Sequence, residues 1–370
     1  MLGGSFGFNP EADMRGRFLT QCNACPKLCT HNMVGVVLSS GKKPMRRREF
    51  LGVLGGAAAA WPVFARAQAT PVVGYLSSRS PGDSAHIIAA FRKGLGEGGF
   101  IEGSNVAIES RFAESHLDRL PELAADLVRR QVNVVAATGG TSSVVATKPV
   151  VPLTMPLVFA MGGDPVKLGI VDSLARPGGN VTGIAFLVNG LTAKHLQLLL
   201  ELAPKAMVVG FLVNPTDPNL ASDTQQAQEA ARALGHKLVI VNASAESDLE
   251  PAFTMLAGEK ADALFVQVGP FTAEHRTKIT ALAARHALPA IYALREFVDA
   301  GGLMSYGTDI TDANRQLGIY TGRVLKGTKP ADLPVMQSTK FELVINLKAA
   351  RALGLDIPTS ILLRADEVIE

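Results

Sequence analysis

Three cysteines and one histidine lie close together near the amino terminus of the sequence. Cys22, Cys25 and Cys29 are followed by His31, and thiolates and imidazole at such spacing can share a zinc ion or an iron–sulfur centre. No strand or helix pattern surrounds this cluster, and an export signal begins only after it. We therefore interpret residues 1–44 as a spurious or disordered upstream extension, and we expect no metal site and no cofactor.

A run of hydroxyls and glycines favours anion binding in the middle of the chain. It reads Thr138-Gly139-Gly140-Thr141-Ser142-Ser143 and follows a run of β-branched residues. Where such a run opens a helix, its free backbone amides and the positive end of the helix dipole can receive a carboxylate. Thr141 or Ser142 could equally be the N-cap of that helix, and the two roles are compatible. We predict that Thr138, Thr141 and Ser142 bind a ligand.

Acidic, amide and aromatic residues lie at or just after the carboxyl ends of other predicted strands. Asp164 could cap the next helix or hold a ligand ammonium, and Phe159 could pack in the core or form an aromatic wall. The later candidates are Asn214, Phe271, Tyr292, Tyr306 and Asp309. Apolar walls with a few convergent polar groups suit a small amphiphilic ligand. If that ligand is an α-amino acid, Asp164 or Asp309 is expected to hold its ammonium.

The elements that would position these residues alternate between short β-branched runs and amphipathic segments. This alternation is typical of a parallel sheet covered by helices. The first series of strands is predicted at Val72–Leu76, Asn105–Arg111, Val132–Ala136, Leu157–Ala160 and Val181–Ala185. The second is predicted at Met207–Val213, Lys237–Val241, Ala263–Val266 and Ala290–Tyr292. We predict an α/β fold with two doubly wound parallel-sheet lobes and a ligand cleft between them.

Charge and glycine patterns exclude two classes of function. The chain has 36 Lys/Arg and 33 Asp/Glu, of which nine basic and three acidic residues lie before residue 70. Residues 70–370 therefore hold 27 basic and 30 acidic residues, a net charge of −3. A nucleic-acid partner needs a clustered basic surface, so none is expected. The segment after the first strand, Gly74 to Arg79, carries no G-x-G-x-x-G, which argues against a nicotinamide or flavin site.

Residues 45–69 have the three parts of an export signal. A basic start is followed by an apolar stretch at about 51–64 and by two overlapping small-residue cleavage sites that end at Ala67 and Ala69. Arg47 and Arg48 match the twin-arginine form of the signal. A membrane-spanning helix needs about 20 apolar residues, and this stretch is shorter. We expect a periplasmic protein, cleaved near Ala67 or Ala69.

Four stretches of the exported part resemble one family of proteins. The sequence is similar to ABC-transporter substrate-binding proteins of the type that includes tryptophan- and tyrosine-binding members. The stretches are FAMGGDPVKLGIVDSLARPGGNVTGIAF (159–186), VGFLVNPTDPN (209–219), MSYGTDITDANRQLGIYTGRVLKGTKPADLPV (304–335) and FELVINLKAARALGLDIPTSILLRADEVIE (341–370). The resemblance implies a type I periplasmic-binding fold, two α/β lobes joined by three crossover strands.

The resemblance also implies lobe boundaries and pocket positions. The first lobe is expected to comprise residues 70–187 and about 303–336, and the second lobe residues 188–302 and about 337–370. By resemblance the pocket positions are Ser78, Thr138, Thr141, Asp164, Asn214, Tyr292 and Tyr306.

The function that follows is solute capture by lobe closure, for an ABC importer. The solute is expected to be an amino acid or a related carboxylate. A membrane permease would receive it, with the ATPase on a separate chain, because this chain has no Walker motif. The protein is expected to be a monomer and not an enzyme, since neither G-x-S-x-G nor H-E-x-x-H occurs in residues 70–370. A ligand-sensing receptor domain of the same fold is the alternative, ahead of an enzyme that uses the cleft.

Replacing both arginines of the signal tests the export route. If Arg47 and Arg48 address the twin-arginine pathway, the double change to lysine leaves uncleaved precursor in the cytoplasm. Immunoblots of cytoplasmic and periplasmic fractions measure this. Normal processing of the double variant would contradict the route, though not export itself.

Overall fold

The computed structural model describes residues 70–186 and 188–370. It contains two β-sheets, in which almost all neighbouring strands are parallel. The predicted cysteine cluster and export signal lie outside the described residues. Among the described helices, none combines the length and apolar character needed to cross a membrane. The predicted fold class is confirmed, because each sheet is covered by helices and forms its own lobe.

The first lobe contains six parallel strands in the order β2-β1-β3-β4-β5-β11. They are β1 Val72–Ser77, β2 Ala107–Phe112, β3 Val134–Thr138, β4 Leu157–Met161, β5 Val181–Ala185 and β11 Met336–Gln337. Its helices are α1 Ala85–Glu97, α2 Leu120–Arg129, α3 Thr141–Thr147 and α10 Ile310–Leu325, with short 3₁₀ turns at Leu117–Arg119 and Pro330–Asp332.

The second lobe contains seven strands in the order β7-β6-β8-β9-β10-β12-β13. They are β6 Val208–Val213, β7 Lys237–Asn242, β8 Ala263–Val266, β9 Ala290–Tyr292, β10 Met304–Thr308, β12 Phe341–Asn346 and β13 Glu367–Ile369. Its helices are α4 Thr192–Leu202, α5 Leu220–Leu234, α6 Leu249–Gly258, α7 Pro270–Glu274, α8 Arg276–Arg285, α9 Arg295–Asp299, α11 Leu347–Ala352 and α12 Thr359–Leu362. The 3₁₀ turns are Val188–Leu191 and Glu246–Asp248. Only β10 and β12 pair in the antiparallel sense within this sheet.

Strand β10 lies in the second sheet, which corrects the expected lobe boundary. The resemblance placed residues from about 303 in the first lobe, but Met304–Thr308 pairs with both β9 and β12. A Cβ on Gly307 would lie 1.8 Å from the carbonyl oxygen of Ala293, so this strand packs against the end of β9 at backbone distance. The chain therefore crosses to the first lobe only after Thr308.

Helices α1 and α10 approach each other closely because glycines face the contact. A Cβ on Gly94 would lie 1.8 Å from the carbonyl oxygen of Arg315, and one on Gly318 would lie 2.2 Å from that of Phe91. The apolar side chains of α10, among them Leu317, join the core of the first sheet. This contact holds the start of α10 beside the carboxyl ends of the first-lobe strands.

An alanine at Gly94 is expected to destabilise the protein. The added methyl group has no room against α10, and overpacking of this kind costs about 1 to 3 kcal/mol. The matched control is Gly96→Ala in the same helix, where nothing lies within 4 Å of the new Cβ. That change should gain up to about 1 kcal/mol, because alanine favours helix more than glycine does. Urea unfolding compares the two variants, and equal midpoints would contradict the tight helix contact.

Candidate ligand-binding site

A cavity of about 60 Å³ lies between the two lobes. Both sheets direct the carboxyl ends of their strands toward it, which is where ligands bind in open α/β sheets. The first lobe lines it with Arg79, Ile87, Thr138, Gly139, Gly140, Thr141, Gly162, Phe186, Ile310 and Asn314. The second lobe contributes Asp217, Asn219, Val268, Gly269, Pro270, Ala273 and Leu294.

The turn between β3 and α3 forms one side of the cavity. Gly139 and Gly140 have φ values of +88° and +141°, which side chains rarely adopt. The Thr141 hydroxyl oxygen accepts a hydrogen bond from the Gly163 amide at 3.0 Å. No described residue accepts the proton of this hydroxyl, so the proton is available to a ligand. Thr138 donates to the Asn314 side-chain oxygen at 2.7 Å, which fixes α10 to this turn.

Two buried serines lie at this turn without lining the cavity. Ser78 is fully buried and donates to the Gly139 carbonyl at 2.9 Å. Ser142 is also buried, and its hydroxyl has no hydrogen-bond partner among the described residues. Gly140 occupies the N-cap position of α3, and no side chain caps that helix. The structure therefore does not use Thr141 or Ser142 as an N-cap, the alternative that the sequence left open.

The turn after β6 brings a carboxylate to the cavity from the second lobe. Asn214 Oδ1 accepts from the Thr216 amide at 3.0 Å and from its hydroxyl at 2.9 Å, so Asn214 shapes the turn instead of lining the cavity. Asp217 Oδ1 accepts from the Asn219 backbone amide at 2.8 Å and from its side-chain amide at 3.1 Å. This pair of bonds fixes the Asp217 carboxylate at the cavity wall.

Asp217 is buried without a cation. Its residue is 7% exposed, and no basic side chain of the described residues forms an ion pair with it. Burial raises the pKa of Asp217 to about 6, and the neighbouring Asp223 carboxylate adds to the increase, against the hydrogen bonds from Asn219. An ionised carboxylate at this place lacks a countercharge.

Arg79 is the second charged side chain of the cavity wall, and acids already surround it. Its Nε donates to Asp83 at 2.6 Å and its Nη2 to Glu296 of the second lobe at 2.7 Å. Arg276 of the second lobe reaches back to Asp83, and His86 Nε2 lies 2.7 Å from Glu296. These five residues, which we call the interlobe charge cluster, join the two lobes beside the cavity.

The four predicted aromatic residues lie in the cores, which corrects the prediction of an aromatic wall. Phe159 in β4 is fully buried in the first-lobe core, and Phe271 belongs to a second-lobe core. Tyr292 stacks on Phe297 with ring centroids 4.5 Å apart. Tyr306 packs against a second-lobe core and Phe341. Phe159, Tyr292 and Tyr306 lie within strands, where covering helices take up their side chains, and none of the four lines the cavity.

Asp164 and Asp309 have structural partners and do not line the cavity. Asp164 Oδ1 accepts from the backbone amides of Val166 and Lys167 at 2.9 and 3.2 Å, so it caps the turn after β4, whereas its alternative role was the cap of a helix. Asp309 caps α10 through two backbone amides and pairs with Lys340 at 2.7 Å. It borders a separate polar groove beside Glu342.

Sequence reasoning missed the acid and the amides that do line the cavity. Asp217 and Asn219 stand on either side of Pro218 in the motif NPTDPN, where both read as turn residues. Asn314 lies inside a helix, and Arg79 follows the first strand. The position directly after β6 was the available signal for Asp217. Among the described residues, no group of His, Cys, Asp or Glu is arranged to hold a metal ion.

Changing Asp217 to asparagine is expected to raise the stability of the ligand-free protein above pH 6. Between the ordinary pKa of 3.8 and the folded value of about 6, the folded state holds a proton that the unfolded chain has released. Stability is therefore lost as pH rises through this window. Asparagine keeps an oxygen that accepts from Asn219 and does not titrate. The free energy of unfolding should therefore rise by up to about 3 kcal/mol, since one pKa unit corresponds to about 1.4 kcal/mol.

Urea unfolding of both proteins between pH 4 and pH 8 measures this difference. The gain should become small near pH 4, where the folded carboxyl is protonated and the pH lies close to the ordinary pKa of 3.8 that applies in the unfolded chain. A constant difference across the range would contradict the unpaired burial of Asp217.

Comparison with known proteins shows which family the chain belongs to. A curated relative named tyrosine-binding protein, from Clostridioides difficile (strain R20291), is 26% identical over 72% of this chain and 75% of its own length. A solved ABC domain in complex with L-Trp from Streptococcus pneumonia is 25% identical, with a TM-score of 0.74, over 81% of this chain and 100% of its own.

Another solved structure agrees with this placement. A conserved domain protein from Vibrio cholerae is 27% identical and has a TM-score of 0.74 over 81% of this chain and 99% of its own. The family described as ABC transporter substrate binding protein matches residues 81–369. The chain, with its type I periplasmic-binding fold, thus belongs to the ABC transporter substrate-binding proteins.

Proposed function

We propose that the protein captures a small solute, an amino acid or a related carboxylate, between its lobes and delivers it to the permease of an ABC importer. The observation that carries this proposal is the interlobe cavity, whose lining includes a carboxylate of one lobe and hydroxyl and guanidinium groups of the other. A solute with both a cationic and an anionic group satisfies both walls at once. Members of this family bind substrates and are not enzymes.

Capture by closure follows from the division of the lining between the lobes. A ligand that contacts both lobes binds the closed arrangement better than the open one, and it shifts the population accordingly. The interlobe charge cluster supplies additional contacts that exist only when the lobes meet. The closed form is then the signal that the permease recognises.

The rest of the import system follows from the family and the export signal. Proteins of this family are typically extracytoplasmic. With a twin-arginine signal cleaved near Ala67 or Ala69, the mature protein works in the periplasm as a monomer. The ATPase that powers import is a separate chain.

An amino acid as the solute agrees with the ligands of the relatives and with the groups that line the cavity. The named relative binds tyrosine, and a solved relative holds L-Trp. In this chain, the uncompensated carboxylate of Asp217 calls for a cationic group, and the free proton of Thr141 calls for an acceptor. The α-ammonium and α-carboxylate groups provide these two partners.

Closure is expected to appear as a smaller radius of gyration on addition of solute. Thermal-shift screening against amino acids, organic acids and sugars first identifies binders, since a ligand of the folded state raises its stability by about 2.7 kcal/mol at a hundred times the Kd. Small-angle X-ray scattering then compares the free and saturated protein. Saturated binding with an unchanged radius would contradict closure, and a sugar as the best binder would contradict the amino-acid assignment.

Glu296→Gln serves as a variant that alters closure but not the cavity lining. It removes the negative charge that Arg79 meets across the lobes. The guanidinium is then left less compensated when the lobes meet, so solute binding should weaken about tenfold, although the intact pair adds little net free energy. Asp309→Asn, which lies outside both the cavity and the charge cluster, is the control and should bind like the parent.

A further inference from the structure

We propose that Gly163 and Asn219 form the contact at which the two lobes meet on closure, and that the missing side chain of Gly163 lets them close fully. Gly163 follows β4 in the first lobe, and Asn219 precedes α5 in the second. This inference rests on the proposed function, because it names the contact that completes capture at the same cavity. Asn219 acts in it as a positioning residue that links the cavity to closure.

The lobes approach each other at Gly163 more closely than a side chain would allow. A Cβ on Gly163 would lie 2.5 Å from Asn219 Oδ1, whereas within its own lobe it would lie 3.0 Å from Leu168 Cδ1 and from Thr141 Oγ1. The φ of Gly163 lies outside the left-handed region that favours glycine. The backbone conformation therefore does not call for glycine here, and the tightest restriction comes from the opposite lobe.

A second glycine of the first lobe meets the second lobe in a similar way. A Cβ on Gly140 would lie 3.1 Å from Pro270 Cγ at the start of α7. Gly140, Pro270 and Asn219 all line the cavity, so both close approaches lie at its wall. Gly140 has a φ of +141°, which strains any side chain. Gly163 is therefore the position at which a methyl group tests closure without straining the backbone.

The Asn219 side chain gives up a local role to make this contact. Asn219 holds the N-cap position of α5, where an asparagine side chain ordinarily accepts from a helix amide, but it makes no such bond. Its Nδ2 instead donates to Asp217 Oδ1 at 3.1 Å, and its own Oδ1 lies against Gly163. This orientation ties the interlobe contact to the carboxylate of the cavity.

Gly163 is tied to the cavity from the first lobe. Its backbone amide donates to Thr141 Oγ1 at 3.0 Å, and Thr141 lines the cavity. Each partner of the contact is thus one hydrogen bond away from a polar group proposed to hold the solute, Thr141 on one side and Asp217 on the other. A solute that bridges these two groups brings Gly163 and Asn219 together.

A disulfide between the lobes tests the contact without any solute. Asn219 Oδ1 is two bonds from its own Cβ, so its approach to Gly163 brings the two Cβ positions near the separation of about 3.5 to 4.5 Å that a disulfide spans. The other cysteines of the chain are first removed as Cys22→Ser, Cys25→Ser and Cys29→Ser. Under mild oxidation, the pair Gly163→Cys and Asn219→Cys should then cross-link, as measured by mass spectrometry of the peptides.

The control pair for this cross-link is Gly163→Cys with Gly258→Cys. Nothing lies within 4 Å of a Cβ on Gly258 at the end of α6, so this pair should not link. Thermal unfolding of the reduced proteins verifies that both pairs fold. A folded Gly163→Cys/Asn219→Cys protein that remains unlinked would overturn the contact.

Gly163→Ala should weaken the binding of L-tyrosine, the ligand in the name of one relative. The methyl group either displaces Asn219 or holds the lobes apart, and overpacking of this kind is unfavourable. We expect a loss of about ten- to a hundredfold in calorimetric titration, which corresponds to about 1.4 to 2.8 kcal/mol at about 1.4 kcal/mol per decade. Gly258→Ala is the matched control and should bind like the parent. Parent affinity in folded Gly163→Ala would overturn the proposal.

Asn219→Ala distinguishes a clash between the lobes from crowding within the first lobe. It removes Oδ1 from the second lobe and leaves Leu168 and Thr141 in place. Alone it should weaken binding, because Asp217 loses one hydrogen bond. In the double variant, the further loss caused by Gly163→Ala should shrink to less than about threefold, since neighbouring sites that clash are not additive. A full further loss would assign the effect to the first lobe and overturn the interlobe contact.

The two tests separate this inference from the proposed function. If the cross-link forms but the parent binds no compound of the wider solute screen, the contact stands and the proposed function fails. If L-tyrosine binds the parent and lowers its radius of gyration but the cross-link does not form, capture by closure stands and this inference fails.

Discussion

The uncompensated burial of the Asp217 carboxylate is the constraint from which the properties of the site follow. A buried charge is costly unless it is paired and hydrogen-bonded, and here two bonds from Asn219 meet only part of that need. The fold retains the carboxylate between two prolines after β6 instead of replacing it by an apolar residue. A site of this kind is less stable when empty than when filled. A cationic group placed beside this carboxylate would supply the missing countercharge.

The interlobe charge cluster has a different energetic role. Arg79, Asp83 and Glu296 are each less than 12% exposed in their side chains, and the desolvation of such groups offsets much of their mutual attraction. The cluster therefore fixes the orientation in which the lobes meet but adds little net free energy to closure. Under the proposed capture by closure, the balance between open and closed arrangements is then left to the solute.

Sequence patterns predicted the fold more completely than the site. β-branched runs identified the strands from β1 to β9, because strands covered on both faces are continuously apolar. Strand β10, Met-Ser-Tyr-Gly-Thr, has no such run and is defined by pairing with β9 and β12. Thr138 and Thr141 line the cavity, as a turn at a strand end suggested. The predicted aromatics are core residues, since sequence alone does not show which face a helix covers, and Asp217 resembled an ordinary turn residue.

The cavity separates the groups that anchor a ligand from those that limit its size. The anchors lie on turns held by local bonds, such as Asn214 to Thr216 and Ser78 to Gly139. The limiting wall comes from helices and strand ends, including Ile87 of α1 and Ile310 of α10. Wall residues can change without disturbing the bonds that build the turns. A scaffold of this kind can therefore keep the polar groups of its cavity while the apolar wall around them changes.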